Sequence, residues 1–528
     1  MLALLRFWPL IPLGLLAILG VFLVDDYGIS WDEGQQRLIG YVAYNYVTQT
    51  LFPAWFEPLY GIPSLMEFRD RDYGVVFELP AVALERWLGL GDTRAVFLLR
   101  HYLNYLVFLG GVAAMFWMAR QRYNSVLAGL LAATLLLLSP RFFAEAFYNS
   151  KDIVFMAAFA FAMSTMFSFI NHPTIKSALL HAFACAIATD IRIMGLMIVL
   201  GTLTVLLIQG FRGDIRWRRL GVLVLAYGVA TSGLIVAFFP FLWADPIGHL
   251  QLAFENMSQF QRWNGDILFF GKFISGYNIP WYYSLVWIGL TTPPLYLLLF
   301  ILGVGATLYQ LLKARLRLWQ STQALQDLIA LALFTLPLLM VIALNSVLYN
   351  GWRQLYFIYP AFIFLALRGA HMLFSIGKPA RIALIALLTV SFITTSSWMV
   401  RAHPLQNVYF NFMAGSEIRE RFEFDYWGLA NRQALEFLLA YDDAEQIRVV
   451  PRSFTPLEFT IPILRAEDRS RLVFPENTDE PHYLINNYYG WERHGDLMTQ
   501  PKHYELIHQI KAIDEVVLSI YQWVPPDS

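Results

Sequence analysis

Long apolar runs divided by short polar connections fill the first 400 residues, and their lengths predict a bundle of membrane-spanning helices. A spanning helix needs about 20 mostly apolar residues. Candidate runs lie at 8–24, 95–118, 125–139, 152–170, 177–189, 193–211, 220–242, 284–311, 328–348, 354–370 and 381–399, eleven in all. The first follows Met1–Arg6 and ends at Val24-Asp25-Asp26 with no small-x-small cleavage site, so it reads as an uncleaved span rather than a signal peptide. The run 284–311 contains Thr291-Thr292-Pro293-Pro294, which predicts a kink or an irregular start.

With eleven spans and Arg6 in the cytoplasm, every second connection faces inward. Those inward connections hold 13 Lys/Arg and two acids, Asp214 and Asp327, whereas the opposite set holds 11 Lys/Arg and, with Asp152 at its boundary, 17 acids. This is the charge asymmetry of a polytopic protein with its basic loops inside. The outer connections are also the long ones, at 25–94, 140–151, 243–283 and everything after about residue 400. The outer face therefore has the backbone from which a site can be built.

Within the first outer loop, 34–51 and 73–91 alternate apolar and polar positions with a helical period and predict helices lying in the interface. Beyond residue 400 the pattern changes. "DYWGLANRQALEFLLAYDD" reads as a helix, "QIRVVP" and "HYLINNYY" as strands, and "HYELIHQIKAIDEVVLSIYQW" as two strands around a turn. The expected architecture is an all-α polytopic membrane domain over 1–400, with about eleven transmembrane helices, and a small soluble α/β domain over 401–528 on the outer side. No internal repeat or low-complexity segment interrupts this plan.

Composition agrees with it. Of the 528 residues 57% are hydrophobic and only 15% charged, with aromatics at 16%, including 16 Trp and 27 Tyr, and the mean hydropathy is +0.50. A soluble protein carries about 25% charged residues. A net charge of −1 offers no attraction for nucleic acid. The single cysteine, Cys185, lies in an apolar run, which leaves no disulfide framework and no Cys-based metal site.

The candidate chemistry gathers on the outer face. Asp25 and Asp26 read as the boundary of the first span. Asp32-Glu33 stands at the start of an interfacial helix, where Ser30 and Asp32 are both suitable N-caps, so a capping role and a catalytic role are both open. Lys151-Asp152 stands where the fourth span enters the membrane, flanked by Arg141 and Glu145; a capped helix start with a snorkelling lysine is the plain alternative. Cations converge on the same face: Arg69 and Arg71 in the first loop, Arg192 beside Asp190 in a tight turn, Lys272 in an aromatic-rich loop, and Arg353 among Trp352, Tyr349 and Tyr356. No GxxxxGK[ST], HExxH, GxSxG or CxxC motif occurs. Carboxylates, cations and a lipid surface suit transfer from a lipid-phosphate-linked donor. The departing phosphate is a weak base, so a carboxylate to take the acceptor's proton and a cation to hold the phosphate suffice.

With those residues in place, the chain resembles the GT-C class of membrane glycosyltransferases. It is most similar to the dolichyl-phosphate-mannose–protein mannosyltransferases and their bacterial relatives, among them the lipid A aminoarabinose transferases. "WDEGQQ", "SPRFFAEAFYNSKD", "NGWRQLYFIYP" and "HPLQNVYFN…FEFDYWG" carry the resemblance. It implies inverting transfer of a sugar from a polyprenyl-phosphate donor to an acceptor glycan, lipid or protein at the outer face of the cytoplasmic membrane. It also implies that Asp32 is the general base with Glu33 beside it, and that Asp152 is the acidic residue of the second loop. Arg71, Lys151, Arg192, Lys272 and Arg353 are the candidates for holding donor phosphate. Arg71 takes that place by position only, since the Lys-Pro-Pro pattern of the aminoarabinose branch is absent. The oligosaccharyltransferase type of metal site is not matched, so no metal or other cofactor is expected. The competing reading is a membrane carrier or flippase. Its charges should lie near mid-span, and only Arg100-His101 approaches that.

Overall fold

The computed structural model describes residues 10–55, 57, 59, 61–258, 262–315, 318–475, 482–490 and 494–525. Arg6 lies outside these residues. Each of the eleven apolar runs contains a helix, but among the described residues eight helices are long and apolar enough to cross a membrane, or nine if the bent pair Val126–Leu137 and Pro140–Tyr148 is one span. Three of the eleven runs hold shorter helices among the described residues, which begin at Leu10. Leu10–Leu23 has 14 residues, Val126–Leu137 has 12 and Ile175–Ile191 has 17. At 1.5 Å per residue even the last reaches only about 25 Å, short of the ~30 Å hydrocarbon core.

Local sequence explains the interruptions. After Leu137 the chain turns by 70° into Pro140–Tyr148, where Pro140 occupies the first position of the new helix, the one place a helix tolerates it without loss. The run 284–311 has the irregular start its prolines predict: it breaks into Tyr283–Thr291 and Pro294–Lys313, because Pro293 and Pro294 lack the N–H groups that would continue the first helix. Elsewhere small residues let helices close up. A Cβ on Gly303 would fall 1.8 Å from the Leu365 carbonyl oxygen, and one on Gly369 would fall 2.0 Å from that of Leu299. Pro294–Lys313 and Tyr359–Ile376 therefore pack backbone to backbone at these two glycines.

Charged residues collect at the two ends of the bundle. At one end Arg122 donates two 2.7 Å bonds to Asp327, and Arg368 reaches the same carboxylate at 3.2 Å. At the other, Asp32, Asp152, Arg192 and Arg353 come together. The first set comes from connections that the charge pattern places inside, the second from those it places outside.

The long first loop folds onto the latter end. Its helices Glu33–Leu51 and Glu78–Trp87 pack against each other. Arg100, buried near the start of Thr93–Tyr123, donates to Glu78 and, at 2.8 Å, to Glu85, which Arg37 also meets at 3.1 Å. His101 Nε2 lies 2.8 Å from Glu33 Oε2. Arg100 and His101, the polar pair closest to mid-span in the sequence, thus anchor the loop through its buried carboxylates.

Past the last span, Lys378–Arg401, residues 405–429 lie against the same end of the bundle; Asn411 donates to the carbonyls of Gly289 and Thr292 at 2.7 and 2.8 Å. Strands β1 (Asp266–Phe269) and β2 (Lys272–Ser275) form a hairpin in the loop that precedes Tyr283. Its turn residues Phe270 and Gly271 have φ of 53° and 75°, the left-handed pair a tight two-residue hairpin needs. The C-terminal sheet holds β3 (Ile447–Pro451), β4 (Leu472–Val473), β5 (Tyr483–Asn486), β6 (Tyr504–Ala512) and β7 (Glu515–Trp523) in the order β4-β3-β5-β7-β6. Pairing is parallel for β3 with β4 and β5 and antiparallel for β7 with β5 and β6. The helix Ala430–Tyr441 packs on this sheet. The domain is tied down by Arg94 donating to the Ile463 carbonyl at 2.5 Å, Arg469 to Asp92 at 2.7 Å and Arg432 to the Tyr27 carbonyl at 2.9 Å. It covers the charged end of the bundle.

Candidate active site

The site starts from the stretch Ser30-Trp31-Asp32-Glu33. Its Ser-x-x-Glu spacing is that of a capping box, and half of one forms: Glu33 Oε1 accepts the Ser30 N–H at 2.7 Å. Asp32 makes no capping hydrogen bond. Glu33 is buried between Ser30 and His101. The capping task therefore falls to Glu33, while the Asp32 side chain stays 40% exposed, with Oδ2 accepting from Arg353 Nη1 at 3.2 Å. The two adjacent acids have separate surroundings.

Asp152 opens the helix Asp152–Asn171 and is buried. Arg192 donates to its Oδ1, and Arg353 Nη1 (3.1 Å) and Asn149 Nδ2 (3.2 Å) donate to its Oδ2. Asn149 Oδ1 in turn accepts the Asp152 N–H at 2.8 Å. One carboxylate thus holds two guanidiniums, from segments 40 and 201 residues away in the chain. Arg353 Nε and Arg192 Nε are buried without a partner among the described residues, so both retain a donor that these protein contacts do not use.

Arg353 lies between aromatic faces, with Cζ 4.9 Å from the Tyr349 ring centre and 4.7 Å from that of Trp427; Trp263 stacks on Tyr349 at 4.4 Å. Lys151 places Nζ 3.5 Å from the centre of the Tyr73 ring, and Arg262 approaches that ring at 5.1 Å. Burial, reinforced by Arg192, pushes the Lys151 ammonium down to about 7, against the opposing pull of Asp32 and Asp152. Arg262 is held by Asp70 (3.1 Å) and Asp72 (2.5 Å). Beside these groups is a shallow pocket, open to solvent and lined by Asp72, Tyr73, Asp190, Arg192, Asn256 and Arg262, among others. Its wall mixes polar and apolar side chains and carries both signs of charge.

Of the residues named from the sequence, Asp32, Lys151, Asp152, Arg192 and Arg353 come together. Glu33 turns away into the helix junction. Arg71 bonds the Met66 carbonyl in its own loop and stacks on Phe241 at 5.8 Å. Lys272 is exposed on β2 and makes no ion pair among the described residues. Arg141 and Glu145 do not pair: Arg141 donates to the Tyr409 carbonyl at 3.0 Å, while Glu145 accepts from Tyr356 at 2.8 Å and Asn149 at 2.7 Å. Sequence reasoning missed Tyr73, Arg262 and Trp427. The "FRDRDYG" stretch was a signal for the first, since an aromatic among alternating charges is poised for cation–π contact. Nothing local marked Trp427, which reaches Arg353 from the far side of the last span. Among the described residues no three His, Cys, Asp or Glu side chains are placed to hold a metal ion.

Comparison with known proteins places this geometry in a fold. The apo oligosaccharyltransferase of Archaeoglobus fulgidus aligns over 92% of this chain and 70% of its own, at 11% identity and a TM-score of 0.52. ArnT from Cupriavidus metallidurans, also apo, aligns over 99% of this chain and 100% of its own, at 12% identity and a TM-score of 0.48. No family model matches the chain, and no curated protein matches it. The first likeness is one of fold: the chain is a polytopic membrane protein with the GT-C architecture.

Lys151 makes the site pH-sensitive. Its ammonium is present below about pH 7 and lost above it, so affinity for an anionic ligand beside it is expected to fall as pH rises from 6 to 8.5. Dissociation constants measured across that range should flatten in Lys151→Met; an equally steep fall in the variant would assign the titration to another group.

Proposed function

We propose that the chain is a membrane glycosyltransferase that moves a sugar from a polyprenyl-phosphate donor to an acceptor hydroxyl, with inversion, at the outer face of the cytoplasmic membrane. Asp32 is the general base. The observation that carries this reading is a half-exposed carboxylate joined through Arg353 to a buried Asp152–Arg192 pair, with Lys151 alongside. Asp32 Oδ1 makes no hydrogen bond among the described residues and is available to the acceptor.

In the step itself Asp32 takes the acceptor's O–H proton as the acceptor oxygen bonds to the anomeric carbon. The bond from that carbon to the phosphate oxygen breaks on the opposite face, and polyprenyl phosphate leaves with the electron pair. Arg353, Arg192 and Lys151 face the charge that develops there. Their role is electrostatic and needs no proton transfer, since the phosphate is a sufficient leaving group. Trp427 and Tyr349 hold the Arg353 guanidinium in place on both sides.

The test uses the purified full chain in lipid nanodiscs with synthetic polyprenyl-phosphate sugars. Sugar transfer should be detected, and Arg353→Ala should raise the KM for donor at least about 10-fold while changing the KM for acceptor little, as expected when a charge-assisted bond to phosphate is lost. An unchanged donor dependence would remove Arg353 from the phosphate role. Absence of transfer from every donor tried would count against the enzyme reading.

A further inference from the structure

A second cleft, shallow and open to solvent, lies between the β1–β2 hairpin and the C-terminal segments 422–424 and 488–490. We propose that it is the acceptor subsite and that its ligand is a saccharide. The proposal rests on the transferase reading and names the acceptor class for it.

Position is the first argument. Tyr489 forms part of the cleft wall, and its ring meets Trp31, the neighbour of Asp32, edge-on at 6.2 Å. The Tyr489 hydroxyl donates to Asn350 Oδ1 at 2.8 Å, and the Gly351 N–H reaches Glu423 Oε2 at 3.4 Å. Segment 350–353 therefore bonds to two residues of the cleft wall at one end and carries Arg353 into the catalytic cluster at the other. Arg192 and its pocket approach Asp152 through the other carboxylate oxygen. The two clefts flank Asp32, Asp152 and Arg353 as donor and acceptor sides must.

Chemistry is the second. Among the described residues no Lys or Arg lines the cleft, which sets it apart from the cation-rich donor side. It offers aromatic side chains, among them Phe273, Tyr488 and Tyr489, with Asp266 exposed at the rim and Glu423 buried within. Burial pushes the Glu423 carboxyl up to about 8; near neutral pH it is mostly protonated and both donates and accepts, as neutral hydroxyls require. Close to Glu423, Asn350 Nδ2 is buried with no hydrogen-bond partner among the described residues. Aromatic faces with sparse neutral hydrogen-bonding groups match the alternating apolar faces and hydroxyl edges of a sugar ring. The hairpin is held for this task, since Gly271 N–H donates to the Arg421 carbonyl at 3.0 Å and Phe269 bridges to Phe422.

The experiment applies the full-length protein in nanodiscs to an array of microbial glycans and, in parallel, to an array of Ser/Thr-containing peptides. Binding of polyprenyl phosphate is measured on the same samples. A defined set of glycans should be retained, and Asp266→Asn and Phe273→Ala, both outside the packed interior, should weaken retention at least 10-fold. Glu423→Gln, which preserves shape, should alter which glycans are held. Polyprenyl phosphate affinity should change less than 2-fold in all three. Glycan retention unaffected by the variants, no glycan retained by the wild type, or peptide capture lost in Phe273→Ala would each overturn the saccharide subsite. Failure of the wild type to bind polyprenyl phosphate is a separate result that strikes the transferase reading instead.

Discussion

Asp32→Asn is expected to lower sugar transfer by about 100- to 10,000-fold, the range a positioned general base contributes, while leaving polyprenyl phosphate binding nearly intact. The substitution keeps the shape and one hydrogen-bond acceptor toward Arg353 and removes only the capacity to take a proton. Because the side chain is 40% exposed and bears no capping bond, the fold should not register the change. Glu33→Gln supplies the contrast. Glu33 is buried against His101 and the Ser30 N–H, so its loss should appear first as reduced thermal stability. Initial rates with a synthetic donor, read beside unfolding temperatures for both variants, separate the two roles. Full transfer by Asp32→Asn would end the general-base assignment.

The second large effect is on stability. Asp152 is the only carboxylate among the described residues that pairs with both Arg192 and Arg353, and all three side chains are at most 8% exposed. Asp152→Asn leaves two buried guanidiniums without the anion between them, and breaking such a network costs about 3–5 kcal/mol. A marked fall in unfolding temperature is expected, with transfer lost as well. Arg192→Met combined with Asp152→Asn should cost less than the two singly, by about 0.5–3 kcal/mol, because the second change removes part of the repulsion the first exposes. Strict additivity would mean that Arg192 and Asp152 are not coupled, and a single variant as stable as the parent would deny the bridge any structural part.

Both experiments concern residues that the sequence brought forward for different reasons. Asp32-Glu33 stood out as an acidic pair beside an apolar run, yet nothing in "WDEG" said which acid would be used for the cap. That was settled by His101, which lies 68 residues on and claims Glu33. Lys272 and Arg353 looked alike as cations on aromatic loops. Hairpin formation leaves one at the surface, and helix packing buries the other against Asp152. Trp427 carried no signal as a site residue, because its partner Arg353 is supplied from across the fold.

By itself the sequence determined the class of molecule: the apolar runs, the charge asymmetry of their connections, the helical period of the first loop and the alternation of the last strands. Each of these is a local property, read within some 20 residues, because the bilayer and the backbone impose their periods on the chain segment by segment. The tertiary structure alone decided how many runs reach spanning length, which acids and cations meet, and which face a cleft. Asp32 and Arg353 are 321 positions apart, and burial, which sets both the strength of such a pair and the Lys151 titration, exists only once the helices have packed. The site is a product of that packing, assembled from the ends of segments whose individual patterns encode only their place in the membrane.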